Sequence, residues 1–191
     1  PNGGGSIMAT LATTNIKHAS SSSNNIVLAS DGTTYIPGHI VQVVSANTSS
    51  DASASSTTFV DSNLTATITP KSTSSKILIL ISQHTTQINP VSSVQAIYGG
   101  IRVVRTISST SSTIHEPLAN TGPFEVGGIG QVIGRTSYSI EDSPNTTSAV
   151  TYKTQIAAWN SSVGAFIAQY DATSGSAIDA KSYITLMEIA A

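Results

Sequence analysis

The side chains that carry most protein chemistry are few in this chain and far apart. Its four histidines, His18, His39, His84 and His115, form no i, i+2 or i, i+4 pair, and there is no cysteine. No local metal-binding pair and no thiolate site is therefore predicted. Glu141 and Asp142 are the only adjacent acids. Neighbours on a strand point to opposite faces, so the two are a poor general acid/base pair, and before Ser143-Pro144-Asn145 they read as a turn with a solvated edge. Asp171 and Asp179 bracket a loop and carry oxygens suited to a hard cation, but aspartates in turns ordinarily serve the turn itself. The stretch from Gly128 to Gly134 has the wrong glycine spacing for a dinucleotide loop and leads into a strand, not a helix. No Gly-x-Ser-x-Gly elbow occurs among the serines. These residues predict no catalytic group, no metal and no cofactor.

What is left is chemistry for recognition. Trp159-Asn160, beside Ser161-Ser162, and Tyr170-Asp171 combine an aromatic face with hydrogen-bonding groups, the mixture that stacks on and ties down a saccharide. His115 and Glu116 lie in another stretch poor in strand signals. These six residues, His115, Glu116, Trp159, Asn160, Tyr170 and Asp171, are the candidate receptor contacts, although core packing is the commoner fate of a lone tryptophan. Four Asn-x-Ser/Thr sequons, at Asn47, Asn63, Asn145 and Asn160, are about what ten asparagines in so hydroxyl-rich a chain would give by chance.

The elements that would position such residues follow from composition and periodicity. Only 9% of the 191 residues are charged, against about 25% in an ordinary soluble domain. Ser and Thr make up 57 positions, so hydroxyls replace charges at the surface. A net charge of -2 with three arginines supplies no basic stripe for nucleic acid. The longest aliphatic run, Ile77 to Ile81, is far short of the roughly 20 residues of a bilayer-spanning helix, so no membrane insertion is expected. A weakly charged surface is also poorly protected against association, which predicts an oligomer.

Period two dominates the apolar pattern: Leu64, Ala66 and Ile68 alternate with polar residues, and no window shows a helical i, i+3, i+4, i+7 stripe. Strands are predicted near 39–46, 57–69, 76–86, 94–107, 131–141, 149–159, 164–170 and 181–189. Eight strands at this spacing point to an all-β, antiparallel, jelly-roll-like sandwich with a short N-terminal extended arm. Phe59, Trp159, Phe166 and Tyr183 are expected to supply the large core pieces. Residues 1–12 read as a flexible lead, with 1–7 ahead of Met8 as an added remnant. Residues 13–38 form the arm, where two β-prone runs flank Asp31-Gly32 as a hairpin. A lone hairpin is marginal in water, so the arm, through Ile16, Ile26, Leu28 and Tyr35, should dock on a partner. Residues 39–191 form the head, with long loops at 108–130 and 159–180.

Several segments resemble a known family. Ile16-Lys17-His18 with the following Ser/Asn run and Ile26 to Gly32, then Phe59-Val60-Asp61 with Ile68-Thr69-Pro70 and Ser74 to Ile79, then Asp142 to Thr147 with Thr151-Tyr152-Lys153 and the terminal Leu186 to Ala190, are similar to structural proteins of the fibre or spike type in marine tailed phages, especially phages of cyanobacteria. The resemblance implies an N-terminal attachment segment, a jelly-roll-like head and a homotrimer. It also implies other virion proteins as partners of the arm, and location in the virion. This chain lacks the extended shaft of long tail fibres, which leaves a tail tip, a head fibre and a capsid decoration protein all open. The expected function is thus a non-enzymatic virion structural protein that contacts a host-surface glycan. The alternative is a secreted or surface-displayed carbohydrate-binding module.

Overall fold

The computed structural model describes residues 13–22, 26–28, 30, 34–36, 38–89, 95–97, 99–116, 124–126, 130–158, 165–170 and 180–191. Among them the regular structure is entirely β. The arm contributes β1 (Asn15–Ile16), β2 (Ile26–Leu28) and β3 (Thr34–Tyr35). Next come β4 (Ile40–Thr48), β5 (Ala52–Ala54), β6 (Val60–Ile68), β7 (Lys76–Asn89), β8 (Gln95–Ile97) and β9 (Gly99–Ile107). The remainder are β10 (Thr110–His115), β11 (Phe124–Val126), β12 (Gly130–Asp142), β13 (Val150–Ala158), β14 (Phe166–Ala168) and β15 (Ser182–Ile189).

The pairing is nested. β4 pairs antiparallel with β15, β6 with β13, β7 with β12 and β9 with β10, so the first long strand meets the last and the innermost two form a hairpin. Rolling up this four-layered ribbon brings β15 beside β7 and β13 beside β9. One sheet then runs β4-β15-β7-β12 and the other β6-β13-β9-β10. This is the strand order of a jelly roll, two Greek keys sharing one core. The expected fold class is the observed one.

Alternation fixes which side chains meet between the sheets. Leu64, Ala66 and Ile68 of β6, Ile77, Ile79 and Ile81 of β7, Val150 and Tyr152 of β13, and Ile184 and Leu186 of β15 form one apolar cluster. A second gathers Ala54, Ile101, Ile156, Ala158, Phe166 and Ala168. Between the two lies a buried polar layer. The Gln83 Oε1 accepts from Thr154 Oγ1 at 2.7 Å, and Ser62 Oγ meets Thr154 Oγ1. Gln83 Nε2 donates to Ser182 Oγ at 2.9 Å, which also accepts from the His84 amide at 2.8 Å. Gln169 completes the layer: its carbonyl accepts from Ser182 Oγ at 2.7 Å and from Gln83 Nε2, while its amide donates to the Ser62 and Ser50 carbonyls at 3.0 and 3.1 Å. Each partner satisfies another, as burial of polar groups requires.

Several expectations need correction. The stretch 108–130 is not one loop: Thr110–His115 forms β10, the fifth strand of the jelly roll, and Phe124–Val126 forms β11 against β8. β10 was hidden because it is an edge strand, exposed over Thr110 to Thr113, and shows no apolar period. The segment read as the strand 164–170 contains β14, an accessory strand filling the place beside the upper half of β7 that β15 vacates. Of the four aromatics expected in the core, Phe166 is fully buried, packed so tightly on Gly99 that its ring leaves no room for a Cβ there. Tyr183 points outward and is 40% exposed, because the inward positions of β15 are Ser182, Ile184 and Leu186. Phe59 is half-buried under Arg102, and Trp159 lies outside the described residues. Tyr152 is the large aromatic that fills the core instead.

Asp142 is not a solvated turn residue either. It ends β12 on the inward side and accepts from Arg105 Nη1 at 2.9 and 3.1 Å and from the Tyr152 hydroxyl at 2.7 Å. Glu141 points the other way and pairs with Lys76 at 2.7 Å. The two acids do occupy opposite faces.

Candidate functional site

The outward face of the β6-β13-β9-β10 sheet presents three cross-strand rows set by register. One row is Arg102, Gln155 and Asp61; the next is Thr113, Val104, Lys153 and Thr65; the third is Ser111, Thr106, Thr151 and Thr67. In the third row the hydroxyls pair, Thr106 with Ser111 and Thr67 with Thr151, each at 2.8 Å. The face is thus a hydroxyl ladder running into a charged row.

In the first row the polar groups form a relay. Arg102 Nε donates to Gln155 Oε1 at 2.7 Å, and Gln155 Nε2 donates to Asp61 Oδ1 at 2.6 Å. Lys153 Nζ donates to the other Asp61 oxygen at 2.7 Å. Arg102 also faces Glu116 at 3.6 Å and stacks over the Phe59 ring, 4.2 Å from its centroid. An arginine held by an amide, an acid and a ring is fixed in direction, so its cost of ordering is met before anything binds. Burial by itself raises the Asp61 pKa, but the hydrogen bonds from Lys153 and Gln155 and the charges of Lys153 and Arg102 outweigh it and hold the carboxyl below its ordinary value.

Two hollows flank Lys153. A groove of about 190 Å³ is lined by Arg102, Val104, Ser111, Ser112, Thr113, Lys153 and Gln155. Val104 faces outward yet is only 5% exposed, and makes its apolar floor. The second hollow, about 290 Å³, is lined by Asp61, Asn63, Leu64, Thr65, Lys153 and Thr154. It exists because β6 carries extra residues opposite Thr154, where the register against β13 shifts. There Asn63 adopts a left-handed φ of 64° and donates through Nδ2 to the Asp51 carbonyl at 2.9 Å. Asparagine tolerates that conformation better than most residues.

Of the sequence-derived candidates, His115 and Glu116 sit where β10 ends. Glu116 reaches Arg102 across the rim of the groove, and the His115 ring meets Tyr138 edge-on at 5.1 Å. Tyr170 is half-buried just after β14, its carbonyl 3.5 Å from the Thr86 hydroxyl. Trp159, Asn160 and Asp171 lie outside the described residues. In the arm, Ile16 of β1 is 43% exposed and stands opposite Ile26 of β2, Leu28 is half-buried opposite Thr34, and Tyr35 pairs with Val27. Arg102, Val104, Lys153, Gln155 and Asp61 were not singled out in the sequence. Part of their signal was available: Arg102 alternates with the inward Ile101 and Val103, and Lys153 and Gln155 with the inward Tyr152 and Ile156. Among the described residues no three His, Cys, Asp or Glu side chains come close enough to hold a metal ion.

No family model matches the chain, and no curated protein matches it. Solved structures do. A chain in a structure of the infectious bursal disease virus Gx strain aligns over 78% of this protein and 37% of its own length, with a TM-score of 0.38 and 11% identity. A chain of the Gt strain aligns over 83% and 40%, with a TM-score of 0.36 and 10% identity. This protein therefore spans well under half of either chain it resembles.

Proposed function

We propose that this chain is a non-enzymatic structural component of a virion, a short trimeric fibre, spike or capsid decoration protein. Its N-terminal arm docks on the particle and its jelly-roll head projects outward to contact the host. The observation that carries this reading is the division of the described chain into a small separate sheet, β1-β2-β3, and a complete eight-stranded jelly roll. Jelly rolls are a common architecture of viral shells and lectins, and an arm of two- and three-residue strands is too small to stand alone. The resemblance read in the sequence to structural proteins of marine tailed phages implies the same assignment. The candidate host contacts are then His115 and Glu116 at the end of β10, together with Trp159, Asn160, Tyr170 and Asp171. Mass spectrometry and immunogold labelling of purified particles test the reading. Stoichiometric presence in multiples of three at a defined site is expected, and absence from the particle would overturn it.

The groove over Val104 favours one second reading, a carbohydrate-binding module displayed or secreted on its own. Such a module would be recovered away from particles, so the same fractionation separates the two.

A further inference from the structure

We propose that the groove on the outward face of β10, β9 and β13 binds an acidic saccharide, one sugar unit carrying a carboxylate or sulfate group. This deepens the host-contact part of the reading above and rests on it. Among the described residues the groove's own lining holds two cations, Arg102 and Lys153, and no carboxylate. Asp61, the partner of Lys153, lines the neighbouring hollow instead. Glu116 stands 3.6 Å from Arg102 without lining the groove. Each cation already faces one carboxylate, so an anionic group between them would be held by the N–H donors of Arg102 and Lys153 that those acids leave over, with Arg102 already oriented by Gln155 and Phe59.

The rest of the lining matches a sugar better than a bare anion. Ser111, Ser112, Thr113 and Gln155 offer donors and acceptors along the walls, while Val104 offers an apolar floor. A pyranose has this division: hydroxyls around its edge and C–H groups on its face. At about 190 Å³ the groove is smaller than the roughly 300–1,000 Å³ of drug-sized sites, which limits it to one unit of a longer ligand. Beyond Lys153 the second hollow continues across β6, and four strands span about 14 Å at the usual spacing. An oligosaccharide lying across the strands would pass over Lys153 with its charged unit in the groove and an uncharged unit beside Asp61 in the second hollow.

The test is to titrate the full-length, isotope-labelled protein by NMR with oligogalacturonate, a sulfated galactan oligomer, a neutral cello-oligosaccharide and inorganic sulfate. Amide shifts at Arg102, Val104, Thr113 and Lys153 with at least one acidic oligomer are expected. Lys153→Gln and Thr113→Asp should each weaken that binding tenfold or more. Thr113 is exposed at an edge strand, so the second variant keeps the fold while placing an opposing charge on the groove wall. The proposal is overturned if neither acidic oligomer shifts these amides, if the neutral oligomer or sulfate alone shifts them equally, or if both variants bind like the parent. Virion location is read separately from particle composition, so failure here and failure of the structural assignment are distinguishable.

Discussion

Arg105 and Asp142 join the two sheets of the sandwich across one end of the core. Arg105 comes from β9 and Asp142 from β12, and the guanidinium Nη1 lies 2.9 and 3.1 Å from the two carboxylate oxygens. Tyr152, fully buried on β13, places its hydroxyl 2.7 Å from the same carboxylate. Burial first, then its hydrogen bond to Asp142, pushes the Tyr152 phenol well above its ordinary value. One acid thus satisfies a cation and a phenol from the opposite sheet.

Removing that acid should cost more than its partly exposed position suggests. The side chains are 24% and 12% exposed, so the loss should fall below the roughly 3–5 kcal/mol seen when a fully buried pair is broken. Asp142→Ala is expected to destabilise by about 2 kcal/mol, because it leaves both Arg105 and the Tyr152 hydroxyl without their acceptor. Arg105→Met combined with Asp142→Leu should recover part of the loss. Urea unfolding of the three proteins measures this, and an Asp142→Ala midpoint equal to the parent's would rule out the bridge as a stabilising link.

The buried polar layer makes a sharper demand. Gln83 is in hydrogen-bonding contact with Thr154, Ser182 and Gln169, all of them fully buried. Gln83→Leu removes the amide and leaves their groups without partners, at about 1–3 kcal/mol for a buried group left unsatisfied. Ser62→Ala, at the margin of the network, should cost about 1 kcal/mol. Calorimetric unfolding would show the larger drop in Tm for Gln83→Leu; the reverse order would mean the layer tolerates rearrangement around position 83.

How much of this was legible in the sequence depended on whether the pattern was local. β6 announced itself because Leu64, Ala66 and Ile68 alternate with threonine and asparagine. β7 did so through its aliphatic run Ile77 to Ile81, and it pairs with β12 without a break from Gly130 opposite Asn89 to Asp142 opposite Ile77. β10 did not, since an edge strand of serine and threonine exposes both phases and looks like a loop. The polar layer was invisible for a different reason. Gln83 meets Thr154 71 residues away and Ser182 99 residues away, and nothing local says that the three share one height in the core. Asp142 looked like a turn residue because its partner Arg105 lies 37 positions upstream. The outward groove rests on Val104 being covered by its neighbours, a property of three adjacent strands rather than of any one.

Protonation of Asp61 offers a test of the charged row. Its carboxyl is held below the ordinary value of 3.8 by Lys153, Gln155 and Arg102 against an opposing effect of burial. A depressed folded-state value contributes stability that is present above the unfolded value and lost as pH falls through the folded one. The pair is substantially exposed, so its effect on stability should be small. Direct titration is the better measurement. The Asp61 carboxyl carbon followed by NMR should show a midpoint below 3.8, and Lys153→Met should move it upward. An unchanged midpoint in that variant would remove Lys153 as a principal cause.

The division between arm and head leads to the last expectation. β1, β2 and β3 pair only with one another among the described strands. The head begins at the step where the Gly38 amide donates to the Ala190 carbonyl at 2.8 Å and the Ala190 amide to the His39 carbonyl at 3.0 Å. A chain starting at His39 keeps the second of these bonds, all eight jelly-roll strands and both apolar clusters. It should therefore unfold cooperatively with a Tm within a few degrees of the full-length protein, since segments with few long-range contacts are separable from domains with their own core. It should also fail to incorporate into particles, because the proposed docking residues Ile16, Ile26, Leu28 and Tyr35 are gone. Circular dichroism and a particle-incorporation assay read the two outcomes independently. A truncated chain that folds and still assembles would move the docking surface from the arm onto the head, whereas one that cannot fold would place part of the head's stability in residues 13–38.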